Sequence, residues 1–186
     1  MSKPNVVLCQ CDQMRAFAIG CYGNAVVRTP HVDRLARQGV RFDLAVTNNP
    51  VCTPARACLL TGQYSRTCAG TADNVFRDPP EQERSRLVDT TIAEAFKQSG
   101  YDTALIGKWH VWGHPNLIGF DETVYPCTPH RHYGQRYFEN FDTEGFVVDE
   151  FGPEFEVARV RQYLREHSGN DSPPFFLHYN ISPPHS

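Results

Sequence analysis

The sequence predicts an α/β fold, a mostly parallel central sheet flanked by helices. Three observations carry that expectation. Short apolar runs alternate with segments of helical period along the chain. The 186 residues suffice for one domain with a sizeable core. Residues able to do chemistry (Asp12-Gln13, Lys108 to His110, Pro183 to His185) each fall just past a predicted strand, where open α/β sheets bind their ligands.

Residues 5–11 (NVVLCQC) read as a buried strand bounded by Pro4 and Asp12. Thr29 and Pro30 open a helix, Thr29 as N-cap and Pro30 at the first helical position. Val32, Leu35 and Ala36 share one face of it, and Gly39 closes it. Residues 40–45 read as a short strand. A second helix is expected from about Pro54 to Leu60, and a third over 91–99 with Thr90 as N-cap and Gly100 as stop. Residues 101–107 (YDTALIG) form a strand. Residues 155–167 form an amphipathic helix with Val157, Val160, Tyr163 and Leu164 inward, and 175–181 (FFLHYNI) are the last strand. Residues 113–152 lack clear periodicity and read as a long excursion near the site. His130 and His132 lie in it and could shape a substrate pocket, whereas His178 reads as a core or sheet-face residue.

The formal charge is −3, from 18 basic and 21 acidic side chains, with no basic stripe, so a nucleic-acid partner has no electrostatic support. No stretch reaches the roughly 20 apolar residues of a membrane span. The start, Met1 to Pro4, does not read as a signal peptide, so the default expectation is a cytoplasmic protein. Seven cysteines are an odd count, which argues against a complete disulfide framework. Cys9 and Cys11 flank Gln10 on one strand face. No second Cys/His pair at zinc-finger spacing follows them, and they read as small, buried, reduced thiols.

The run Cys52-Thr53-Pro54-Ala55-Arg56, followed by Leu60-Thr61-Gly62, carries the chemistry. Pro54 favours a helix start just after Cys52, which puts Cys52 where free backbone N–H groups and the helix dipole favour an anion. Arg56 projects from the first turn as a fixed positive fork. A nucleophile beside such a fork suits a tetrahedral oxyanion. Taken alone, the residues leave a reactive and a structural cysteine equally open.

The extended run resembles the signature of type I sulfatases of the alkaline phosphatase superfamily. That resemblance implies an alkaline-phosphatase-like α/β fold, with residues 1–186 as the N-terminal part of the catalytic domain and a C-terminal remainder beyond them. It also implies that a formylglycine-generating enzyme oxidises Cys52 to formylglycine. The hydrated aldehyde carries two hydroxyls on one carbon. One attacks sulfur and displaces the alcohol, and deprotonation of the other expels sulfate, which a plain Ser or Cys could not do quickly.

Other segments are similar to the family in register. Asp12-Gln13 resembles its metal-binding pair, so Asp12, Gln13 and residue 52 are the implied ligands of a divalent cation, Ca²⁺ foremost, with Mg²⁺ or Mn²⁺ as alternatives. Gly107-Lys108-Trp109-His110 resembles the G-K-W-H segment. Lys108 would neutralise the transferred group, and His110 would orient or deprotonate the hydroxyl that expels sulfate. Trp109 reads as packing. Ser182-Pro183-Pro184-His185 resembles the P-H element, which makes His185 the candidate general acid and a substrate contact. Asn74 is equally a substrate ligand or the end of a turn. The resemblance further implies a second metal-binding segment and a second lysine beyond Ser186. About three protein ligands, where a hard cation takes around six oxygens, imply weak metal binding by residues 1–186 alone. The implied substrate is a small-molecule or sugar sulfate ester. A phosphonate monoester or phosphodiester hydrolase on the same scaffold, and an inactive fragment, remain open beside it.

Overall fold

The computed structural model describes residues 3–70, 73–74, 82–83, 87, 90–126, 130–169 and 172–185. In chain order the elements are β1 (Val6–Asp12), α1 (Pro30–Gln38), α2 (Cys52–Thr61), α3 (Ser65–Cys68), α4 (Ile92–Gln98), β2 (Asp102–Gly107), β3 (Glu122–Pro126), β4 (Gln135–Glu139), β5 (Phe146–Val148), α5 (Gly152–Glu166) and β6 (Phe175–Pro184). They build one six-stranded sheet in the order β1-β6-β2-β3-β4-β5. The first four strands are parallel, as the strand–helix alternation predicts, and β4 and β5 extend the sheet antiparallel.

β2 and β6 lie inside the sheet and are apolar on both faces, as strands covered by helices on two sides must be. Successive residues go to opposite cores. Leu105 and Phe176 pack with Ala57, Leu60, Ala93, Ile118 and Phe120 on the α2/α4 side. Ala104, Ile106, Phe175 and Leu177 pack with Tyr163 on the α5 side, joined by Val157, Val160 and Leu164 as the helical period predicts. His178 is 1 % exposed on the first face, between Phe120 and Phe176.

Several expectations are corrected. No strand forms over 40–45, which pairs with no strand among the described residues. Val32 and Leu35 of α1 are exposed, since among the described residues nothing packs on that face. Thr29 precedes α1 but does not cap it. Its hydroxyl accepts from Gly20 N–H at 2.8 Å and donates to Asp33 at 2.9 Å. α2 starts two residues early, at Cys52. The cap of α4 is Thr91 rather than Thr90, in a reciprocal box: Thr91 Oγ1 accepts from Glu94 N–H (3.1 Å) while Glu94 Oε2 accepts from Thr91 N–H (2.8 Å). The supposed excursion over 113–152 contains β3, β4 and β5. Those strands are only five, five and three residues long, too short for their alternation to stand out.

Cys9 is exposed and Cys11 half-buried. Their thiols share a hydrogen bond that pushes Cys9 up and holds Cys11 down to about 7. Cys127 lies outside the described residues. No described helix is long and apolar enough to cross a membrane.

Candidate active site

Three chain segments converge past the ends of the parallel strands. β1 ends in Asp12, and the pairing with β6 shifts register between Cys11 and Asp12, where Asp12 meets Pro184. β2 ends at Gly107, whose φ of +89° turns the chain sharply. A Cβ there would lie 2.1 Å from Asn180 O, so only glycine lets Lys108 leave the sheet at this point. The third segment is α2. Val51 N–H is held by Asn49 Oδ1 (3.1 Å), and the first helical bond runs from Ala55 N–H to Val51 O (2.9 Å). Thr53 N–H, one of the free donors of the first turn, donates to Asn74 Oδ1 at 2.9 Å.

Cys52 therefore sits in the first turn of α2. Its Sγ lies 3.8 and 3.9 Å from the two Asp12 carboxylate oxygens and 3.7 Å from Lys108 Nζ. Lys108 Nζ also donates to Asp12 Oδ2. Arg56 Nη2 stands 3.6 Å from the same oxygen, while its Nη1 donates to Lys108 O at 3.2 Å. All three charges are removed from water: Lys108 is 0 %, Arg56 3 % and Asp12 8 % exposed. Burial works against each of them. For Asp12 the hydrogen bond from Lys108 and the positive charges of Lys108 and Arg56 prevail, and its carboxyl is held below the usual range. Burial lowers Lys108 and Arg56 despite Asp12. Among the described residues one anion thus faces two cations around Cys52, an excess of positive charge suited to a bound anionic group.

His110 follows with φ +56°, a strained backbone for a non-glycine residue, and its carbonyl accepts from Thr53 Oγ1 at 3.0 Å. Burial, followed by the charges of Lys108 and Arg56, brings its imidazole down to about 3. It is therefore uncharged at neutral pH. Trp109 packs in the core, as expected, with its indole N–H on Gly113 O at 2.9 Å. His185 lines an open cavity of about 810 Å³ together with Asp12, Gln13, Cys52, Arg56 and Asn74. Lys108 reaches the same place through its contacts with Asp12 and Cys52, whereas His110 is tied to α2 through its carbonyl and does not line the cavity. Asn74 holds the start of α2 with its carbonyl oxygen.

Two further residues support the site in ways that sequence reasoning did not specify. Thr53 is fully buried and ties α2 to the His110 loop. His130 stacks on His185, from 55 positions away, with ring centroids 3.7 Å apart.

Residues able to hold a cation are Asp12, Gln13 and position 52. Gln13 is exposed at φ +54° beside the cavity. Among the described residues no three His, Cys, Asp or Glu side chains cluster closely enough to hold a metal. The lone carboxylate is already engaged by two cations. This donor set does not by itself fit a hard dication that takes around six oxygens.

The arrangement defines a class. It is an α/β protein that seats a cysteine in the first turn of a helix, beside a buried carboxylate, lysine and arginine. The Sulfatase family model matches residues 4–186, and the chain belongs to that family. It is 35 % identical to an ulvan-active sulfatase of Formosa agariphila, across 99 % of this chain and 36 % of the relative. It is 31 % identical to an N-acetylglucosamine-6-O-sulfatase of Bacteroides thetaiotaomicron, across 98 % of this chain and 31 % of that one. A solved structure in complex with its substrate, D-glucosamine-2-N,6-O-disulfate, superposes with a TM-score of 0.81 at 26 % identity. The match covers 99 % of this chain and 35 % of the other. The chain spans about a third of the length of these relatives.

Proposed function

We propose that this chain carries the nucleophile half of a sulfatase site that hydrolyses sulfate esters, with sulfated sugars as the substrate class. The observation that supports it above all is the seating of Cys52 Sγ within 4 Å of both Asp12 and Lys108, at the start of α2 and beside Arg56. Sugars are favoured because the two relatives matched over nearly the whole chain are named for ulvan and N-acetylglucosamine.

Formylglycine, made from Cys52 by a separate modifying enzyme, would supply a geminal diol at position 52. Lys108 and Arg56 bind the sulfate oxygens and neutralise charge that builds on them as the ester oxygen departs. Asp12 keeps both cations charged in their buried setting and orients Lys108 toward residue 52. His185, on the rim of the same cavity, gives a proton to the departing alcohol oxygen. His110 would orient or deprotonate the second hydroxyl of that diol, the function through which the resemblance has sulfate released. Asp12 and Gln13 would be this chain's share of any cation site. No step is assigned to a cation, because these residues do not complete its shell.

Two measurements test the reading. Co-expression with a formylglycine-generating enzyme should lower the mass of the Cys52 peptide by about 18 Da, since sulfur is replaced by oxygen and two hydrogens are lost. Parallel assays with sugar sulfates, an aryl sulfate and an aryl phosphonate ester should then give turnover on the sulfates. Preferential turnover of the phosphonate would move the protein to the phosphonate hydrolase reading, and a persistently unmodified thiol would favour an inert fragment.

A further inference from the structure

His185 follows β6 and is half-buried. It is held at two points by one short segment from across the molecule. The His130 ring stacks on the His185 ring with centroids 3.7 Å apart and planes 20° from parallel. His132 Nε2 donates to the His185 carbonyl oxygen at 3.0 Å. The segment is itself anchored, since Gly152 N–H at the start of α5 donates to His132 O at 2.8 Å. His130 also presents an edge-to-face contact to His110, at 6.1 Å and 83°. Its Nδ1 is buried with no hydrogen-bond partner among the described residues, so ring contact rather than hydrogen bonding through that nitrogen accounts for its place.

We propose that His130 is a positioning residue of the site, and that with His132 it forms a clamp fixing the His185 ring against the departing ester oxygen. The physical case is orientation. A proton donor works only when its N–H points at the atom that receives the proton, and misplacement by about 1 Å costs up to about 100-fold. A flat ring at stacking distance removes the rotation of His185 about its side-chain bonds, and the anchored carbonyl removes drift of its backbone. Burial and the charge of Lys108 bring the His130 imidazole down to about 4, so it stands uncharged beside His185 at neutral pH. The clamp rests on the sulfatase reading for its purpose, but its geometry can be measured without it.

The test compares His130→Ala, which removes the stack, with His130→Phe, which keeps a flat ring and no nitrogen. In the histidine ring NMR spectrum of the chain, His130→Ala should move the His185 ring protons downfield, out of the shielding of the neighbouring ring, and His130→Phe should hold them near their original place. Unchanged His185 signals in His130→Ala overturn the clamp, whatever the activity. In the formylglycine-bearing protein, His130→Ala should lower kcat about tenfold on a sugar sulfate, whose alcohol needs a proton to leave, with KM little changed. On 4-nitrophenyl sulfate, whose phenolate leaves unaided, the loss should stay under about twofold. His130→Phe should restore most of the sugar-sulfate rate. His130→Ala combined with His185→Ala should be no slower than His185→Ala alone. Equal losses on both esters, or additive losses in the double variant, overturn positioning through His185. A protein inactive on every sulfate ester but with the expected ring shifts would sink the sulfatase reading and leave the clamp standing.

Discussion

Asp12 decides the electrostatics of the site. Among the described residues it is the one carboxylate touching Lys108 and Arg56, and all three are nearly inaccessible to water. Asp12→Asn would leave two buried cations without compensation, a loss of about 3–5 kcal/mol on urea unfolding. Adding Lys108→Met should recover a substantial part of it, because one uncompensated charge is then gone. A double variant as unstable as Asp12→Asn would show that the pair is not the cause. His178 sets a second behaviour. Burial, with Arg56, holds it down to about 3, against 6.5 for a free histidine. Between those values the unfolded chain binds a proton that the native chain refuses. Stability therefore falls as pH drops from about 6.5 toward 3, by up to about 1.4 kcal/mol per pH unit. Glu156 acts in the opposite sense. Burial raises it from 4.5 to about 7, so the native chain keeps its proton longer, and stability is lost as pH rises across that window. His178→Phe should flatten the acid limb of a stability profile taken between pH 4 and 7, and Glu156→Gln the limb between 4.5 and 7.

At the scale of elements, precision comes from a few turns. Gly107 ends β2 at positive φ against Asn180 O and aims Lys108 at Asp12. Gly107→Ala should cost at least about 1–3 kcal/mol from backbone strain alone. It should also abolish turnover, because Lys108 and His110 both hang from that turn. Wild-type stability by thermal melting would contradict the close approach. The Thr91 box was legible in sequence as a helix start, but not to the residue. Thr90 and Thr91 have the same chemistry, and the choice fell to Thr91, whose hydroxyl also donates to Ile118 O at 2.7 Å across the fold. β3 to β5 escaped for a related reason: three short strands owe their existence to pairing with β2 and with one another rather than to any run of apolar residues.

On the scale of the whole molecule, the described chain leaves much apolar surface uncovered. β1 is an edge strand, and Val26, Val40, Phe42, Leu44 and Val46 are each more than two-thirds exposed. The donor set governs metal chemistry in the same way. With one carboxylate and one amide at the ends of β1 and two cations beside them, residues 1–186 should bind Ca²⁺ only weakly, near or above millimolar Kd. Tight binding by calorimetric titration of this chain would overturn that expectation.

The sequence by itself determined the α/β class, the strands β2 and β6, and the candidate side chains from Asp12 to His185 that lie past strand ends. These are local patterns: period, caps and motif spacing survive without knowledge of neighbours. Tertiary structure alone decided that Val32 and Leu35 stay exposed, that residues 113–152 hold three strands, that Asn74 caps α2, and that His130 reaches His185. Each of those depends on a contact between residues far apart in the chain, and burial or pairing of that kind has no signature until the chain closes on itself.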